Sequence, residues 1–477
     1  VDQPNIAIVI SNRDFFPDIL IKEARQDLLQ VFAESEINPI LLGEQETKLG
    51  ALETWQDAAR CAELLRKHRD VIDGVLVSLP NFGDEKAVAD ALRMSGLQVP
   101  ILIQAYPDDL DQFGLERRRD AFCGKISVCN NLRQYGIPFS LTDSHTIRPT
   151  SAAFRQELQR FVASCRVVRG LRGARIGAVG ARPNAFNTTR FSEKLLEASG
   201  ISVNTLDLSD VFARTAKIGD EDARVKQKLD EIHAYADDSL APHESLIRMA
   251  KFAIVVLDWM SDLGLKASAI QCWSSMQQNF HVNVCTIMSM MSEQFMPSAC
   301  EVDIAGVVSM YALQLASGRP SALVDWNNNY GDNPDKCVLF HCGNWAKDFL
   351  PDIRIATAPI LGTVLGEENT FGALMGRTAA GPVTYARVTT DDLNGRIRAF
   401  VGEGQFTDDP LNTFGTKAVV EVKNLQQLMR FICKNGFEHH AAMTASHVAA
   451  SFHEALTTYL GWDVYRHGEI SESAATA

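Results

Sequence analysis

Between Ile6 and Ala105 short β-branched runs alternate with amphipathic windows of helical length, and no other feature of the chain restricts its fold as strongly. The spacing predicts strands over 6–10, 39–42, 74–78 and 100–103, with helices over 17–35, 51–67 and 85–95 between them. A helix between two strands brings the chain back to the same end of the sheet, so these strands pair in parallel. The expected product is a doubly wound α/β domain over residues 1–167. Its loops after the strands, where open α/β sheets place ligands, carry Ser11-Asn12-Arg13, Leu79-Pro80-Asn81-Phe82-Gly83 and Gln104-Ala105-Tyr106.

After the basic run Arg166-Val-Val-Arg169-Gly-Leu-Arg172-Gly the pattern restarts with a strand over 174–179. The Gly177-Ala-Val-Gly180 turn lacks G-x-G-x-x-G spacing, and Arg182-Pro183 stands where a glycine would admit pyrophosphate, which excludes a dinucleotide site. Strands over 202–206, 267–271 and 321–324, with helices over 188–199, 220–234, 243–262, 285–295 and 304–316, fill a second parallel-sheet domain, 168–350. Extended runs over 371–375, 383–388, 397–401 and 418–422 then take over, with Asp391-Asp392-Leu393-Asn394-Gly395 as a hairpin turn. Residues 351–477 are therefore expected to form a β-rich, barrel-like domain with helices over 425–433 and 441–460 and a tail over 472–477.

Charge and hydropathy narrow the partners. The 46 Lys and Arg against 59 Asp and Glu leave −13, which repels nucleic-acid phosphates. No apolar run approaches the ~18 residues of a membrane helix. Val1-Asp2-Gln3-Pro4-Asn5 has no basic leader character, so a cytoplasmic setting is expected, with the 10 scattered cysteines reduced.

Chemistry-bearing side chains cluster late. Glu301 precedes a helix that Asp303 is expected to cap, Asp325-Trp326 and His341 end strand-like runs, and Gly436-Phe437-Glu438-His439-His440 follows. Carboxyl ends of parallel strands share one sheet edge, where these groups are expected to converge, and His447 lies two helical turns beyond His440 if that segment is helical. Two carboxylates and an imidazole suit a hard or borderline divalent cation. Taken singly, the same residues read more often as solvated acids and ordinary histidines than as ligands.

Glu301 followed 24 positions later by Asp325, then His440 and His447, resembles the metal-binding pattern of the L-fucose isomerase family. The phrases Gly180-Ala-Arg-Pro183, Phe186-Asn-Thr188, Arg190-Phe-Ser-Glu-Lys194 and Ala299-Cys-Glu-Val-Asp303 resemble its fucose-isomerase-like branch. The resemblance implies an aldose–ketose isomerase working through a cis-enediol on Mn²⁺ (or Co²⁺ or Mg²⁺), with Glu301, Asp325 and His440 as ligands and both carboxylates as acid and base. It implies a hexose or 6-substituted 6-deoxyhexose substrate: L-fucose or D-arabinose, or sulfoquinovose, giving 6-deoxy-6-sulfofructose. Val302 replaces a residue commonly polar in fucose isomerases, which counts against L-fucose. It also implies a homo-oligomer, trimer or hexamer, in which the first domain of one subunit covers the neighbour's site, placing Asn130 and Asn131 near the sugar. Arg13, Lys125, His145, Arg182 and Arg190 are candidates for an anionic sugar, with Trp326, His341 and His447 as further substrate neighbours. A metal-dependent aldolase and a non-catalytic sugar-binding protein are the alternatives.

Overall fold

The computed structural model describes residues 3–468; the tail expected over 472–477 lies outside them. The chain divides into two compact units, one running through Arg169 and taking in Glu454–Gly461, the other holding Gly170–His453 and the chain from Trp462.

In the first unit the sheet order is Asn38–Ile40, Asn5–Ser11, Gly74–Leu79, Ile101–Ala105, Ser140–Leu141, and every pair is parallel. Gly74–Leu79 is buried throughout, as a strand covered on both faces must be. Helix starts follow local capping chemistry. Thr54 and Asp57 form a capping box ahead of Trp55–Lys67, and Asp84 accepts from the Ala87 N–H ahead of Glu85–Ser95. Because Thr54 is the cap, Ala51–Leu52 is not the helical turn expected there but a strand beside Asn5–Ser11. The basic run does not interrupt the chain's secondary structure: helix Ala152–Leu171 continues into it.

The second unit holds two sheets. Arg175–Val179 lies between Ser202–Leu206 and Ala267–Ile270, with Ser298–Ala299 outside the latter, all parallel. The other sheet contains an antiparallel ring: Thr416–Glu421 pairs with Lys336–His341, then Ser321–Asn329, His440–Thr444, Gly381–Asp391 and Arg396–Thr407, which returns to Thr416–Glu421. The strands expected at the end of a parallel sheet near 321 thus belong to the barrel, which begins before residue 351. Only 330–335 separate Ser321–Asn329 from Lys336–His341, too short for the crossover that parallel pairing requires. The helix expected over 441–460 is also replaced: Ala441-Ala-Met-Thr444 is a buried strand between two others, tertiary pairing overriding the helical preference of Ala and Met. Helix Ala449–Glu454 follows. Among the described residues no helix is long and apolar enough to cross a membrane.

Candidate active site

Antiparallel pairing, not a parallel sheet edge, assembles the site. Asp325 lies opposite His440 in register, and on its other side opposite Phe340, one residue before His341. Glu301 arrives from the turn between Ser298–Ala299 and helix Ile304–Ser317. That turn is strained: Glu301 (φ 54°) and Val302 (φ 53°) are both left-handed, which for a β-branched residue costs of order 1–3 kcal/mol. Asp303 caps the helix as expected, accepting from the Gly306 N–H at 2.8 Å.

Glu301 Oε2 stands 3.9 Å from His440 Nε2 and 3.8 Å from His341 Nε2, while Asp325 Oδ1 is 3.3 Å from His440 Nε2 and 3.6 Å from His439 Nε2. Trp273 Nε1–H donates to Glu301 Oε1 at 2.9 Å, turning Oε2 toward the imidazoles. Glu301 Oε2 and Asp325 Oδ1 are both buried without a hydrogen-bond partner. Burial pushes the Glu301 carboxyl above its ordinary pKa. Such orphaned acceptors each cost about 1–3 kcal/mol, and an oxygen, oxygen, nitrogen donor set is what a hard or borderline divalent cation takes. The donor atoms fall into two triads that share His440, Glu301 with His341 and His440 and Asp325 with His439 and His440, each within 4.8 Å and each of a kind that fits a divalent cation.

A second, fully buried layer holds His440 in place. Its Nδ1 lies 2.8 Å from Asp303 Oδ2. Arg387 donates to both Asp303 oxygens (2.5 and 3.0 Å) and to Glu438 Oε2 (3.0 Å). Burial opposes charge on Asp303, yet Arg387 and the His440 hydrogen bond hold its carboxyl well below the usual carboxylate range. An ionised Asp303 only accepts, so His440 Nδ1 carries the proton and the Nε2 lone pair faces Glu301 and Asp325. His341 has the opposite tautomer: the Cys342 N–H donates to its Nδ1 at 3.0 Å, so Nε2 carries the proton and faces Glu301 Oε2 at 3.8 Å, beyond hydrogen-bond reach. Phe186 covers the cluster, its ring centroid 5.5 Å from those of His439 and His440.

The other expected residues are spread over both units. Arg13, in the first unit, is paired with Glu85 and donates to the Gly83 carbonyl at 2.8 Å. Asn130 and Asn131, on helix Ala121–Gln134 of the same unit, bond to Gln134 and to the Ser127 carbonyl. Lys125 donates to Thr142 and to the His145 carbonyl, and burial presses its pKa down to about 8; the His145 ring meets the Phe122 carbonyl. Trp326 packs edge-on against Tyr385 with its N–H unpartnered. His447 falls outside the cluster, 3.1 Å from the Gly404 carbonyl, because a strand and loop replace the helix that would have aligned it with His440. Arg182 lies on the loop that carries Phe186 and donates to the Pro183 carbonyl at 2.9 Å. Sequence reasoning missed Trp273, Arg387, the pairing of Glu438 with that arginine and the second role of Asp303. One signal was present: a lone arginine inside the apolar run 383–388.

The model of the fucose/sulfoquinovose isomerase N-terminal domain matches residues 7–172, and that of the L-fucose isomerase C-terminal domain matches residues 339–467, together more than half of the chain. A sulfoquinovose isomerase of Alkalicoccus urumqiensis is 26% identical over 388 residues, covering 80% of this chain and 83% of its own. One from Priestia aryabhattai is 24% identical over 378 residues (78% and 80%), and one from Clostridium sp. (strain MSTE9) 22% over 332 residues (68% and 71%). With these relatives and family domains, the chain is an enzyme of the aldose–ketose isomerase class. It belongs to the L-fucose isomerase family, in the fucose/sulfoquinovose branch. The non-catalytic sugar-binding alternative is thereby set aside.

Proposed function

We propose that this isomerase acts on sulfoquinovose through a cis-enediol, using a divalent cation, Mn²⁺ or alternatively Co²⁺ or Mg²⁺, held by Glu301, Asp325 and His440. The observation carrying this reading is the pair of buried, unpartnered carboxylate oxygens aimed at one imidazole nitrogen. When bound, the cation supplies Lewis-acid stabilisation of the charge that develops on the sugar oxygens. The protein does the rest. One of Glu301 and Asp325 takes the C2 proton and delivers it to C1, the O2 hydroxyl proton passes to O1 by way of the other carboxylate, His341 Nε2–H faces the oxygen that gains charge, and Phe186 excludes water from the reacting carbons. A trimeric or hexameric assembly in the cytoplasm is part of the reading, and sedimentation equilibrium checks the assembly.

His440→Ala is expected to lose bound Mn²⁺ on dialysis while the native chain retains it, because the ring nitrogen is the one ligand held by a buried partner. Metal analysis after dialysis reads this, and unchanged content refutes the ligand assignment.

Support for an anionic sugar comes from the relatives' substrate and from Arg182. This arginine is half-buried on the loop of Phe186 and donates to the backbone carbonyls of Pro183 and Asn184; among the described residues no carboxylate pairs with it. In a panel with L-fucose and D-arabinose, sulfoquinovose is expected to give the highest kcat/KM. Arg182→Ala is expected to raise KM for sulfoquinovose ~10-fold, the loss of one charge-assisted hydrogen bond of about 1.5 kcal/mol. A flat panel, or an equal loss on neutral sugars, contradicts the sulfonate reading.

A further inference from the structure

Behind the carboxylate–imidazole cluster lies a group of side chains that the isomerase chemistry does not use. All the cysteines are free thiols, and most are scattered, but the sulfurs of Cys285, Cys300 and Cys342 lie within 4.8 Å of one another. The sulfurs of Cys272 and Cys300 make a second such group with a Glu301 oxygen. Four separate segments supply these thiols: Cys272 follows strand Ala267–Ile270, Cys285 opens helix Cys285–Glu293, Cys300 precedes the strained turn, and Cys342 follows His341. One buried cysteine is a small hydrophobe, whereas three converging sulfurs are a ligand set.

We propose that Cys285, Cys300 and Cys342 form a second cation site, of thiolate character, for a soft d¹⁰ ion such as Zn²⁺, Cd²⁺ or Cu⁺. The spacing suits it: bonds of about 2.3 Å to a common ion place sulfurs roughly 3.8 Å apart, so small side-chain rotations within the observed spacing suffice. Cys272, beside Cys300, is at hand as a fourth sulfur. Each thiol releases its proton on binding, so affinity rises with pH. The two sites sort ions by softness: sulfur here, oxygen and nitrogen at Glu301, Asp325 and His440. Cys342, the half-buried member, offers the entry path; Cys285 and Cys300 are sealed.

The test uses the full chain, reduced and stripped of metal, with excess Mg²⁺ added to occupy the oxygen and nitrogen ligands. Cd²⁺ is titrated in while the thiolate-to-cadmium charge-transfer absorption is recorded. The expected result is a band that saturates at one equivalent. Joint replacement Cys285→Ser, Cys300→Ser, Cys342→Ser should abolish the band and weaken binding at least ~100-fold. The single variant Cys300→Ala, close in volume, should lower the band's intensity and serves if the triple variant does not fold. Cys433→Ser, exposed and outside the cluster, and Asp325→Asn should both keep it. Absence of a stoichiometric band in the native chain, or a band unchanged by Cys300→Ala, overturns the proposal. Because the readout is absorption, not turnover, its failure is separate from failure of the isomerase reading.

Discussion

Asp325→Asn is expected to fold normally and to lose at least ~10²-fold in kcat, the lower range for removing a positioned acid or base. The fold should survive because strand Ser321–Asn329 is held by backbone pairing on both sides and Asp325 Oδ1 makes no hydrogen bond that the amide would break. Replacing one of two neighbouring carboxylates also relieves repulsion with Glu301, so the thermal midpoint should stay level or rise. Function should not survive. The amide puts an N–H donor or a weak neutral acceptor where a negative oxygen faced His440 Nε2 at 3.3 Å, removing a cation ligand and a proton acceptor together. Steady-state kinetics at saturating Mn²⁺, alongside thermal unfolding, measures both effects. Near-native turnover in a folded variant refutes the assignment.

The fold and the site were legible in the sequence to different depths. Parallel α/β organisation could be read because most strands and helices before residue 105, the short strand Ala51–Leu52 excepted, announce themselves by local periodicity, and caps such as Asp84 stand in place. Glu301, Asp325 and His440 stood out through their resemblance to a family pattern, not through local signals. What brings Asp325 opposite His440 is strand pairing across more than a hundred residues, and no window of sequence contains it. Ala441-Ala-Met-Thr444 shows the same limit from the other side. Its residues favour a helix, the flanking barrel strands impose extension, and His447 leaves the site as a consequence. The Asp303 carboxylate was readable as a cap because capping is local; that its other oxygen orients His440 was not, since that contact spans 137 positions.

Arg387→Met is expected to be the most destabilising single change considered, by about 3–5 kcal/mol, the range for breaking a buried ion pair from one side. Arg387 is fully buried and bridges Asp303 and Glu438. Burial alone would lower its pKa, and the two carboxylates reverse that, keeping the guanidinium charged. Methionine fills much of the same volume, so a cavity is not the cause; the cost is two carboxylates left without their cation. The Asp303 carboxyl, which Arg387 holds low, then rises in pKa, the folded state binds a proton more readily, and stability is regained as pH falls. Denaturant unfolding of the native chain and the variant should therefore show the largest gap at pH 7 and a smaller one near pH 5. Adding Asp303→Asn and Glu438→Gln should restore part of the stability at pH 7 while leaving His440 without its ionised partner, so Mn²⁺ affinity stays low. If the gap does not change with pH, the guanidinium acts there through its shape, not its charge, and the electrostatic account of how His440 is held falls with it.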